Sequence, residues 1–248
     1  MAAQIVFLAG ASGAIGKRLV PQLIDAGYQV FGTTRAAQRA GELENLGATP
    51  IIVDVFDHSR LLQALREVRP SIVMNQLTDL PKTLAGPLSE KSLLANARLR
   101  DLGTRNLIDA ARSAGAGRFI AQSLAWLYAP GPTPHREEDP LEASASGTAA
   151  ITNPSVIALE QMTLNSPPLV GVVLRYGQFY GPGTWNTAQD GNVPVHVDAA
   201  ARAALLAIAA THTGIFNIAE EKGLVSTAKA RRELEWSADF RMRSPAVA

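Results

Sequence analysis

Two periods of apolar residues share the first 125 positions of the chain. Gln4–Gly10 is a short run of Ile, Val and Phe and reads as a strand. Ile15–Ala26 repeats apolar residues at helical spacing (Ile15, Leu19, Leu23) and stops at Gly27, a residue suited to the left-handed backbone that ends a helix. The alternation then continues. Strands are predicted at Gln29–Thr33, Ile51–Val53, Ser71–Asn75 and Arg118–Ser123, and helices at Ala36–Leu46, Ser59–Val68 and, as one long element, Lys91–Ala114. Strands separated by helical segments of this length need right-handed crossovers, which give a parallel sheet covered by helices on both faces. The expected class is α/β, doubly wound.

Beyond Ser123 the pattern changes. Ala129–Gly147 carries Pro130, Pro132, Pro134 and Pro140 with the acidic trio Glu137, Glu138 and Asp139, and reads as a surface loop. A helix is expected over Pro154–Leu164, with Asn153 as its cap and Pro154 in its first position. Leu169–Leu174 is a sixth strand, Tyr176–Gly191 a loop, Asp198–Ala210 a helix, Ile215–Ile218 a short last strand and Ser226–Leu234 a last helix. All 248 residues are expected to form one unit. Its core runs to about residue 175, and residues 176–248 complete the sheet and add a small lobe.

Composition narrows the function classes. Apolar residues make up 47% and charged residues 18%, which excludes a disordered chain. A net charge of +1 gives no reason to expect nucleic acid or an anionic membrane as partner. No apolar run is long enough to span a bilayer, and the N-terminus lacks the positive start of a signal peptide, so a cytoplasmic protein is expected. With no cysteine, disulfides and thiolate chemistry are impossible. His58, His135, His196 and His212 are scattered without metal-binding spacing, so no metal site is expected.

The candidate chemistry starts where the first strand meets the first helix. In Gly10-Ala11-Ser12-Gly13-Ala14-Ile15-Gly16, the first glycine permits a tight turn, the second lets a diphosphate approach the backbone, and the third lets helix and sheet pack closely. Free N–H groups and the positive end of the helix dipole then favour phosphate. The end of the second strand chooses between cofactors. No carboxylate occurs between Asp25 and Glu42, whereas Arg35 follows the strand and suits a 2′-phosphate. NADP(H) is therefore preferred, with NAD(H) possible. Asp54 is placed either to bind adenine or simply to cap a strand end.

The GASGAIG motif with Arg35 resembles the short-chain dehydrogenase/reductase superfamily. The stretches RFIAQSLAWLYAP, LRYGQFYGPGT, VHVDAAARAALLA and GIFNIAEE make the chain similar to its extended and atypical branch, the epimerase/dehydratase-like proteins. The resemblance implies a Rossmann-type nucleotide-binding core with a smaller C-terminal substrate lobe. It also implies cofactor contacts from Val55, Gln76, Leu77, Thr78, Gln122, Gly177, Gln178 and Phe179. Tyr128, Tyr180 and Trp185 follow the fifth and sixth strands, where open parallel sheets bind ligands, and are expected to line a substrate pocket. The family's Ser, Tyr and Lys positions fall on Leu124, Thr152 and Val156, taking Glu160 as the glutamate that follows the lysine. None of the four tyrosines, Tyr28, Tyr128, Tyr176 and Tyr180, has a lysine four residues on. A free phenol has a pKa near 10, so the family's usual proton relay is not available here.

Ser123 and Tyr176 are the candidate substitutes, and replacing either is expected to lower turnover. The lobe is also short: Gly183 to His196 is 13 positions and Glu221 to Thr227 is 6, which disfavours a nucleotide sugar. The expectation is an NADP(H)-dependent oxidoreductase acting on a small carbonyl or alcohol with a non-standard proton donor. The alternatives are a dinucleotide-binding redox sensor without turnover and a nucleotide-sugar epimerase or dehydratase. A homodimer through helices Lys91–Ala114 and Pro154–Leu164 is possible.

Overall fold

The computed structural model describes residues 3–81, 83, 86–144 and 146–242. Strand β1 (Ile5–Ala9) feeds helix α1 (Ala14–Asp25), and β2 (Gln29–Thr34) follows. The second crossover is a 3-10 turn (Ala37–Arg39) running into the short α2 (Ala40–Asn45), not one continuous helix. Next come β3 (Thr49–Ile52), α3 (His58–Val68) and β4 (Ile72–Asn75). The segment expected as a single helix is α4 (Glu90–Arg98) and α5 (Thr104–Ser113), joined by a π-helical stretch at Leu99–Gly103. Then β5 (Arg118–Leu124), α6 (Ala149–Leu164) and β6 (Val170–Tyr176) complete the expected series. The rest is β7 (Gln178–Tyr180), β8 (Pro194–His196), α7 (Val197–Leu206), β9 (Gly214–Ile218) and α8 (Ala228–Leu234).

Seven strands form one sheet in the order β3-β2-β1-β4-β5-β6-β9, each neighbouring pair parallel. The chain winds outward from β1 in both directions, so the order reverses between β1 and β4. Two apolar layers hold the helices to it. One joins Val6, Leu8, Leu19 and Leu23 to the alanine-rich face of α7, and the other joins Phe7, Val73 and Phe119 to Leu65 of α3 and Leu107 of α5. Small residues let α1 and α7 approach closely, and Arg18 on α1 pairs with the buried Asp198 of α7 at 2.5 Å.

Two expectations are corrected. Helix α6 begins at Ala149, so Pro154 lies inside it, and Asn153 is no cap: its amide donates to the Glu142 carbonyl at 2.8 Å. Tyr176 is the last residue of β6, not part of a loop, because its register with Leu124 and Ile218 extends both neighbouring pairings. The segment after it holds β7, which pairs in parallel with β8. Among the described residues no helix is long and apolar enough to cross a membrane.

Candidate active site

Open parallel sheets bind ligands beyond the carboxyl ends of their strands, where the order reverses. Here that place is the turn after β1. Gly10 has φ +92, and a Cβ on it would sit 2.5 Å from the Gln76 carbonyl oxygen. A Cβ on Gly16 would sit 2.4 Å from the carbonyl oxygens of both Gly10 and Ala11. Both glycines are therefore required by packing. Gly13 caps α1 without any side-chain acceptor, and the first helical bond runs from Lys17 N–H to the Gly13 carbonyl. The amides of Ala14, Ile15 and Gly16 consequently have no acceptor among the described residues. No acidic side chain occupies this first turn, and Ser12 beside it is half-buried.

The flanking strand ends are firmly held. Arg35 pairs with Asp79 at 3.1 Å, both side chains being exposed. The backbone of Asp79 is pinned by the buried Asn96 of α4, which accepts from its N–H at 3.0 Å and donates to its carbonyl at 3.1 Å. Asp54 accepts the Phe56 N–H at 2.9 Å, the capping role open to it from sequence, and the Val55 carbonyl accepts from Asn106. After β4, Asn75 accepts the Leu77 N–H and donates to Thr104, and Gln122 donates to the Leu77 carbonyl at 2.7 Å. Thr78 is exposed at the rim.

A buried ionic network lies behind the cleft. Arg175 of β6 forms a two-pronged pair with Glu160 of α6, at 2.9 and 2.7 Å. Ser123 donates to the same carboxylate at 2.5 Å. Arg175 also donates to the Tyr128 hydroxyl at 2.9 Å, and that hydroxyl donates to Asn217 of β9 at 2.7 Å. Asn217 N–H donates to the Glu137 carboxylate, which ties the Pro-rich loop to the sheet. Neither Ser123 nor Glu160 is exposed by more than 4%. The Ser123 hydroxyl is thus committed to a structural carboxylate.

Tyr176 is more deeply enclosed. It is 1% exposed, packs against Phe179 at 5.4 Å and has no hydrogen-bond partner for its hydroxyl. Burial pushes its pKa upward and outweighs the opposing influence of the neighbouring Gln76. The amide of Gln76 is itself buried and unpaired. Tyr176→Phe is therefore expected to stabilise the fold, by about 1–2 kcal/mol for an unmade buried hydrogen bond. Urea denaturation would measure this, with turnover left unchanged.

The remaining aromatic groups line the outer wall. Burial raises the pKa of Tyr128, which stacks on His135 at 4.8 Å. Burial and the Glu220 carboxylate raise that of Tyr180, whose hydroxyl donates to Glu220 at 2.5 Å. Trp185 donates from its indole to the Pro81 carbonyl at 3.0 Å, bridging the loops after β7 and β4. Gln178 accepts the Val193 N–H through its side chain, and Gly177 has no room for a Cβ, which would lie 2.2 Å from the Val193 carbonyl. A cavity of about 80 Å³ lies between Ala125, Trp126, Tyr128, His135 and Leu224. On α6, Thr152 is half-buried and Val156 buried. Tyr128, Tyr176 and Tyr180 thus all have pKa values displaced upward, away from neutrality. Among the described residues no cluster could hold a metal ion.

Sequence reasoning missed the Glu160–Arg175 pair and Arg100, which lies in the π-helical stretch. Each charge looks like an ordinary surface residue in the sequence, and only the register of β6 against α6 brings Glu160 and Arg175 together.

Comparison with known proteins places this geometry. Residues 6–195 match the NAD dependent epimerase/dehydratase family. A 3-diazoavenalumate denitrifying reductase from Streptomyces sp. is 36% identical over 239 residues, covering 88% of this chain and 76% of that protein. The fold is similar to that of UDP-glucose 4-epimerase from Thermotoga maritima, solved with UDP-glucose (TM-score 0.78, 20% identity, 96% of this chain and 94% of the other). It is also similar to the Bordetella bronchiseptica enzyme WbmG in complex with NAD (TM-score 0.76, 17% identity, 97% and 90%). The chain belongs to the NAD dependent epimerase/dehydratase family, in the extended short-chain dehydrogenase/reductase superfamily.

Proposed function

We propose that this protein is a nicotinamide-dependent reductase whose substrate accepts hydride without a proton from the protein, and that the substrate is an arenediazonium-type diazo compound losing dinitrogen. One observation carries this reading: among the described residues the family's tyrosine–lysine pair is missing, and neither Ser123 nor Tyr176 is free to replace it. Thr152 and Val156 stand at the family's tyrosine and lysine positions, Ser123 is bound to Glu160, and Tyr176 is sealed in the core. Reducing a carbonyl leaves an alkoxide that must be protonated. A diazonium carbon that takes hydride loses N₂ and becomes an aryl C–H, and the positive charge passes to the oxidised nicotinamide, so atoms and charge balance with no proton. The similarity to a denitrifying reductase that acts on a diazo compound supports the same chemistry. The carbonyl or alcohol substrate expected from sequence becomes the less favoured reading.

The cleft suits the cofactor. Unpaired amides at Ala14, Ile15 and Gly16 beside Gly10, Ser12 and Gly13 fit a diphosphate. Arg35 fits a 2′-phosphate that displaces Asp79, while Asp54 and Val55 border the adenosine end. Gln76, Leu77, Thr78, Gln122, Gly177, Gln178 and Phe179 border the nicotinamide end, with Tyr128, Tyr180 and Trp185 beyond it as the substrate wall. Bound there, the reduced nicotinamide supplies hydride.

Fluorescence titration is expected to show tighter binding of NADPH than NADH, with Arg35→Ala removing most of the difference. With a benzenediazonium salt, NADPH consumption above that of heat-inactivated protein should equal N₂ release. Deuterium should enter the arene from 4-deuterated NADPH and not from D₂O. Reduction of aldehydes or ketones with no action on diazonium salts would overturn the substrate class. Binding with no turnover of either would favour the sensor.

A further inference from the structure

Arg100 occupies an unusual place. It lies in the π-helical stretch between α4 and α5, and such bulges interrupt a helix at a cost and recur at functional sites. Residues 96, 100 and 104 fall on one stripe of this helix, four apart. The ends of the stripe are fixed by their partners: Asn96 grips the backbone of Asp79, and Thr104 accepts from Asn75. Asn75 ends β4, and Asp79 lies in the segment that leaves it. The stripe therefore faces the carboxyl end of β4, and Arg100 stands in its middle. The same stretch packs against α6, the helix that carries Thr152 and Val156.

Among the described residues no carboxylate pairs with Arg100. Its guanidinium makes no hydrogen bond or ion pair among the described residues, although the side chain is largely withdrawn from water. Two neighbouring arginines of this helix differ: Arg105 pairs with Asp101, and Arg98 lies over the Phe56 ring at 4.0 Å. Burial alone lowers the pKa of Arg100, to about 10, so it remains a cation at neutral pH. An uncompensated, partly desolvated cation destabilises the ligand-free fold and gains when an anion arrives. A planar fork of donors matches a carboxylate in particular.

We propose that Arg100 is a substrate-binding residue that takes a carboxylate of the substrate at the β4 end of the cleft. This deepens the reductase reading and rests on it for the word substrate. The binding claim itself does not depend on turnover. The diphosphate of the cofactor is the other possible anion, and the unpaired amides that fit it lie at the start of α1.

The test uses the full chain saturated with NADPH, titrated calorimetrically with benzoate and cinnamate and with the corresponding amides. The carboxylates are expected to bind more tightly than the amides, and Arg100→Gln to remove this preference, lowering carboxylate affinity about ten- to a hundredfold as for a lost charged hydrogen bond. Arg100→Lys should keep part of it, and both variants should bind NADPH as the wild type does. Equal binding of carboxylates by wild type and Arg100→Gln would overturn the proposal, as would wild-type protein that binds neither carboxylate. Loss of NADPH affinity in Arg100→Gln would assign the residue to the cofactor instead. Carboxylate binding through Arg100 in a protein that reduces no diazonium salt would leave this inference standing and remove the diazo substrate from the reductase reading.

Discussion

Glu160→Ala is expected to destabilise the fold by about 3–5 kcal/mol, the range for removing one partner of a buried ion pair. The physical cause is the arginine left behind. Arg175 is 3% exposed on β6, enclosed between β5 and β9, and cannot swing out to water. Its two bonds to Glu160 would be lost together with the one from Ser123. The Tyr128 hydroxyl and the Glu137 carbonyl are neutral acceptors and do not replace the charge. Replacing both partners, as in Glu160→Leu with Arg175→Met, removes the charges as well as the bond. The double variant should therefore lose less stability than the single one, since apolar residues of similar size often substitute for buried pairs with little loss. Urea denaturation of the three proteins measures the difference. A single variant within about 1 kcal/mol of wild type, the range of a surface pair, would show that water reaches Arg175.

This pair also marks how far the sequence could be read. The parallel sheet was legible because β1, β2 and β4 are short apolar runs set between helices with clear ends, such as Gly27 and Gly47. The glycine turn was legible for the same reason: only glycine satisfies both the φ of +92 at Gly10 and the backbone contact at Gly16. What stayed hidden depends on residues distant in sequence. Tyr176 follows an apolar run and precedes a glycine, so its place in β6 is decided by pairing with Leu124 and Ile218. Pro154 looked like a helix start because proline suits the first position, yet a preceding turn from Ala149 forms when Asn153 spends its amide on the Glu142 carbonyl. Strand β8 is only three residues long and exists through its partner β7. Among candidate site residues, the chain showed which groups were missing, at Thr152 and Val156. It did not show that Ser123 and Tyr176 were already withdrawn, because that requires knowing what surrounds them.

The three glycines of the turn give the sharpest functional expectation, since geometry separates them. Gly13→Ala adds a Cβ 3.3 Å from the Gly10 carbonyl oxygen, a contact relieved by a shift of a few tenths of an ångström. Its backbone is extended, with φ −78 and ψ 177, which alanine adopts freely. The fold should therefore survive Gly13→Ala with a midpoint of unfolding close to wild type. Gly10→Ala and Gly16→Ala differ in kind. Each would bring a Cβ within 2.5 Å of backbone atoms that cannot rotate away, and Gly10 would in addition be forced to a positive φ. Both should lose several kcal/mol, the scale of overpacking combined with backbone strain. Ligand binding makes the contrast useful. The added methyl at position 13 stands at the helix start, beside the unpaired amides of Ala14, Ile15 and Gly16. Gly13→Ala is expected to lower NADPH affinity at least tenfold, about 1.4 kcal/mol, in a folded protein. Titrating NADPH and following thermal unfolding on the same samples separates the two effects. A Gly13→Ala protein that binds NADPH as tightly as wild type would place the diphosphate away from this turn, and the assignment of the cleft would fail with it.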